Sequence, residues 1–156
     1  MGGAGGAGDA DLFQYPATYS VDPKNWDIKN WAKLDIDQRS TFGPWFTRAH
    51  RWLHGGAPAM RRLLERLQFE AQPLTPEREL TLCMEAGLPT WWHVQEVDRA
   101  LAEAIVRVSH DSVAALSERL GEERGMELYR FLYAKFRGAG PFLAQAGIEA
   151  VMQPRR

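Results

Sequence analysis

The sequence predicts an all-α protein: a single domain of six or seven short-to-medium helices in an irregular bundle, preceded by an extended aromatic-rich N-terminal arm. Three observations predict it. From Gly43 onward apolar residues recur three and four apart, the period of a helix with one buried face. Proline and glycine punctuate the ends of these segments, as at helix starts and stops. No stretch shows a competing strand pattern. At 156 residues and 45% hydrophobic, the chain is long enough for one real core and too short for two.

Three parts are expected: a Gly/Ala-rich tail over 1–11, an aromatic arm over 12–43, and a helical domain over 44–156. The arm sets Phe13, Tyr15, Tyr19, Trp26, Trp31 and Phe42 among prolines and charges without a clean period. Asp22-Pro23 reads as a cap followed by a first-turn proline, so a short helix is expected to about Leu34, with the rest extended. Aromatic anchors on an arm with no fold of its own need a surface, either its own helical body or another subunit.

Pro44 is expected to open the first regular helix, with Trp45, Phe46, Ala49, Trp52 and Leu53 on one face and Gly55-Gly56 at its end. Pro58 opens the next, where Met60, Leu63, Leu64 and Leu67 oppose Arg61, Arg62 and Arg66. Thr75-Pro76 caps a third, with Leu80, Cys83, Met84 and Leu88 assigned to the inside. The stretch from Thr90 to Gly121 is the longest with helical periodicity and is the expected centre of the fold, Thr90 serving as N-cap. Its stripe of Val94, Val97, Leu101, Ala104, Ile105 and Val108 does not line up with Val113, Leu116 and Leu120. A break is therefore expected at Ser109-His110-Asp111, where Ser and Asp compete for backbone hydrogen bonds. Glu122 to Arg137 forms another helix, Glu122-Glu123 lying in its first turn, and Pro141 to about Met152 a weaker last one.

In the helix over 122–137, Leu128, Leu132 and Phe136 make a stripe, but Tyr129, Phe131 and Tyr133 place aromatic surface on other sides. A helix apolar nearly all round lies between layers or in an interface. Tyr129, Phe131 and Tyr133 are accordingly assigned, with Phe13, Tyr15, Tyr19, Trp26 and Trp31 of the arm, to partner binding.

Net charge is −1, which excludes a global field for nucleic acid or acidic membranes. The distribution is uneven: −2 over 1–47, +4 over 48–66, −7 over 67–127 and +4 over 128–156. Arg48, Arg51, Arg61, Arg62 and Arg66 form the basic cluster, a possible anion-binding face suited to an acidic protein or lipid surface more than to nucleic acid. The single Cys83 excludes an intramolecular disulfide and reads as a buried thiol. No window is long and apolar enough for a membrane span. The opening MGGAGGAGDAD lacks the features of a secretory signal. The expected location is intracellular, in cytosol or an organelle interior such as mitochondrial matrix or chloroplast stroma.

No motif names a reaction. His50 and His54 have a metal-compatible spacing but stand beside Arg48 and Arg51, and His93 with Glu96 lacks the companion glutamates of a helical metal site. Ser109-His110-Asp111 are chain neighbours rather than a triad. No catalytic residue, cofactor or metal is assigned. The expected function is a non-catalytic helical subunit or adaptor of a larger multiprotein assembly, docked through the aromatic arm and the aromatic C-terminal helix. The alternative is a small helical ligand or cofactor binder of sensor type, with a pocket lined by Trp91, Trp92, Tyr129 and Tyr133.

Overall fold

The computed structural model describes residues 19–21, 33–54 and 57–137. Six α-helices follow one another there: α1 (Phe42–Leu53), α2 (Pro58–Leu67), α3 (Pro76–Ala86), α4 (Val94–Arg107), α5 (Asp111–Leu120) and α6 (Gly125–Arg137). A short 3-10 turn, Arg39–Thr41, leads into α1. Among the described residues there is no strand beyond isolated bridges, and no helix is long and apolar enough to cross a membrane. The short helix expected after Asp22 and the last helix expected after Pro141 lie outside the described residues, as do Gly55-Gly56 and the tail.

The stripes read from the sequence form the core in α1, α2 and α4. Trp45, Ala49, Trp52 and Leu53 of α1, Met60, Leu63, Leu64 and Leu67 of α2, and Val97, Leu101 and Ile105 of α4 belong to one buried cluster, with α1 in contact with both α2 and α4. α6 packs most extensively on α4 and touches α2 and α5 as well. Proline is tolerated at Pro44 although α1 begins two residues earlier, because first-turn N–H groups have no helical acceptor. Thr75 caps α3 as expected, its hydroxyl accepting from the Arg78 N–H at 3.1 Å.

The central stretch breaks where expected, between Arg107 and Asp111. The cap differs: neither Ser109 nor Asp111 fills it, and the His110 ring accepts from the Ser112 N–H at 3.1 Å. Ser109 instead bonds back to the Ile105 carbonyl at 2.6 Å, closing α4. The break is also where residues 33–38 dock. His110 N–H donates to the Leu34 carbonyl at 2.8 Å, Ile36 N–H donates to Ser112 Oγ at 3.0 Å, and Leu34 is wholly buried. Trp45 of α1 reaches the same place, its indole N–H on the Val108 carbonyl at 2.9 Å.

Three further expectations are corrected. α4 starts at Val94 with His93 as N-cap, Thr90 standing in a turn three residues before it. α6 starts at Gly125, so Glu122 and Glu123 belong to the preceding turn, where Glu123 takes a positive φ of 67°. In α3 the buried residues are Glu79, Leu82, Cys83 and Ala86; Leu80 and Met84 face outward and Leu88 is half-buried. Leu82, Cys83 and Ala86 form an apolar stripe of their own, and Glu79 lies on the same inward face with Arg124 as its polar partner.

Candidate docking surface

Leu80 and Met84 are one turn apart on α3 and remain 51% and 70% exposed. Glu77 and Thr81, both exposed, flank them. Trp91, in the connection that leaves α3, is 41% exposed, and Phe69, in the connection that leads into it, is 75% exposed. Scattered apolar side chains on a surface need no explanation, but two on one helix face are the beginning of a patch. Covering a Leu or Met side chain is worth roughly 1.5–3 kcal/mol.

The face is held rigidly from behind. Arg62 of α2 donates through Nε to the Ala86 carbonyl at 2.8 Å, satisfying an acceptor at the end of α3. Arg66 pairs with Glu85 at 2.7 Å, and Arg78 grips Glu70 through two bonds of 3.0 and 2.7 Å. The Glu70 carboxyl is held below its ordinary range by the hydrogen bond from Arg78. The five arginines of the basic cluster are thus divided. Arg62 and Arg66 attach α2 to α3, whereas Arg51 and Arg61 stand exposed near His54, and Arg48 lies half-buried on α1.

Beside the basic residues lies a polar network across α1 and α6. The Gln68 amide donates to Tyr129 Oη at 3.2 Å, leaving that hydroxyl able to give its own proton to His50 Nδ1, 2.8 Å away. Burial lowers the pKa of His50, and the neighbouring His54 and Arg61 charges add to this against Glu65. His50 is therefore neutral in the folded chain where an unfolded imidazole would already be taking up a proton. Its contribution to stability is present above the unfolded value of 6.5 and is lost as pH falls through the lowered folded value. Relative to His50→Gln, the wild-type urea midpoint is expected to fall as pH is taken from 7 to 5.

The aromatic residues assigned to partner binding fare differently. Phe13, Tyr15, Trp26 and Trp31 lie outside the described residues. Tyr19, Tyr129 and Tyr133 are buried in the chain's own core, and Phe131 is half-buried. Tyr19 donates to the Leu53 carbonyl and packs on Trp92, their rings 6.0 Å apart. Tyr133 lies 5.1 Å from Phe46 and 6.3 Å from Phe42, which itself stacks on Phe136 at 4.9 Å. α6 packs on α2 and α4 and its rings meet Phe42 and Phe46 of α1, so burial between layers accounts for its aromatic residues on several sides. Of the four residues expected to line a pocket, Trp92 packs on Tyr19, Tyr129 and Tyr133 pack on Phe46, and Trp91 is exposed.

An open groove of about 530 Å³ runs between α4 and α5, with Glu103, Glu122 and Glu123 around a single Arg107. Among the described residues no group of three or more histidine, cysteine or acidic side chains could hold a metal. Sequence reading missed a set of buried charges, Glu79, Asp98, Glu127 and Arg130. The only signal for them was that each falls at helical spacing among apolar residues. The chain matches no family model, no curated protein and no solved structure.

Proposed function

We propose that this chain is a non-catalytic helical subunit of a larger protein assembly, docked through the outer face of α3. The observation that carries the reading is the paired exposure of Leu80 and Met84 on a helix whose opposite face is fully packed. The occupant is an amphipathic helix of a partner subunit, its apolar stripe covering Leu80 and Met84 and its flanks basic. Glu77 beside the stripe, within a segment of charge −7, supplies the complementary sign. Phe13, Tyr15, Trp26 and Trp31 of the arm provide a second contact in the same reading.

Leu80→Lys with Met84→Lys tests it, because both positions face solvent and the fold has no stake in them. Gel filtration of the tagged chain from its native source should show co-migration with a defined larger complex. The double variant, with an unchanged urea midpoint, should elute alone. A single chain in both samples, or a complex indifferent to the substitutions, contradicts the reading. A complex containing only a second copy of this chain replaces the partner subunit by self-association.

A further inference from the structure

Glu79 of α3 and Asp98 of α4 are both buried, and their carboxyl groups lie within hydrogen-bonding reach of each other. Two ionised carboxylates cannot form that bond, since each only accepts; one must carry a proton. The surroundings do not supply charge for two anions. Arg124, in the turn before α6, reaches Glu79 at 3.2 Å and divides itself with the Leu74 carbonyl at 2.9 Å. Asp98 accepts the Met126 backbone N–H, at 2.8 Å, an orphan donor of the first turn of α6. Cys83 of α3 lies close by; burial, with the Asp98 and Glu79 charges, pushes its thiol up to about 12, so it stays protonated. Gly125 seals the site, with α6 so close to α4 that there is no room for a side chain.

We propose that Glu79 and Asp98 share one proton and form a latch that ties α3 and the first turn of α6 to α4, closed when the proton is held and loosened when it is lost. Burial, reinforced by the charge and hydrogen bond of Glu79, outweighs the Met126 N–H and pushes the Asp98 carboxyl up to about 7. The sign follows from linkage. The stabilising effect of the proton is complete below the ordinary carboxylate range, declines as pH rises toward about 7, and is gone above it. The junction is therefore firm in mildly acid solution and weakest from neutral pH upward. The latch stands on the α3–α4–α6 contact and does not require the docking surface.

The test is a titration of the side-chain carboxyl carbons by NMR, with amide exchange at Met126 followed in parallel. Asp98 should titrate near neutral pH rather than near its ordinary value of about 3.9. Protection of the Met126 amide, corrected for intrinsic exchange, should fall by up to about tenfold per pH unit between pH 5 and 7 and then level. Asp98→Asn keeps an acceptor for Met126 and a donor for Glu79, and should hold protection flat across that range. Glu79→Gln should bring the Asp98 midpoint down by about one pH unit or more. If Asp98 and Glu79 both titrate in the ordinary carboxylate range of the wild-type chain, no proton is shared and the latch is overturned, whether or not the variants fold.

Discussion

Gly125→Ala is expected to destabilise the protein by about 3 kcal/mol or more, although alanine is the better helix former. Helix propensity alone forecasts a gain of about 0.5–1 kcal/mol for the change. The opposite result is expected because a Cβ at Gly125 would stand 2.4 Å from the Asp98 carbonyl oxygen, 2.5 Å from the Ala102 nitrogen and 2.6 Å from Leu101 Cβ. Two of those atoms are backbone in the middle of α4 and cannot turn aside. The clash must push α6 off α4, the most extensive helix contact in the molecule, and strip the Met126 N–H from Asp98. Urea unfolding measures the effect, and a midpoint equal to or above wild type would contradict the close packing described.

Arg130→Met is expected to cost about 3–5 kcal/mol, the range for leaving one partner of a buried ion pair uncompensated. Arg130 and Glu127 are 6% and 3% exposed at their side chains and meet through two bonds of 2.9 and 2.7 Å. The loss spreads because the pair also holds the connection between α2 and α3. Glu127 accepts the Leu74 N–H at 2.9 Å, and Arg130 leans on the Glu70 carbonyl at 3.4 Å. Adding Glu127→Gln should restore most of the lost stability, since glutamine can still accept from Leu74 but leaves no buried charge. Equal, additive losses in the two single variants and their combination would mean that the two side chains do not act as a unit.

The fold was legible where a single physical effect set the pattern. In α2, Met60, Leu63, Leu64 and Leu67 are all wholly buried and Arg61, Arg62 and Arg66 all exposed, because hydrophobic burial alone decides that helix. The break after Val108 was readable for the same reason, as a mismatch between two stripes. α3 was not readable, because Glu79 is buried against Asp98 and Arg124 from other elements, and such long-range pairing leaves no local period. The eleven residues of α3 offered two possible apolar faces; the one that also carries Glu79 is buried, and Leu80 and Met84 lie outside. Tyr129 and Tyr133 failed in the opposite sense. Their scatter round α6 was real, but a helix between layers and a helix at an interface look alike in sequence.

The outward face of α3 is the one opposite Glu79, Leu82, Cys83 and Ala86, and the docking proposed for it is tested most directly by cross-linking from Met84. A photo-reactive amino acid placed at position 84, and for comparison at the exposed Arg119 of α5, would be activated in cells of the native source. A discrete cross-linked species from position 84, absent from position 119 and containing a different protein chain, is the predicted result. No adduct from position 84, or the same adducts from both positions, would contradict the account.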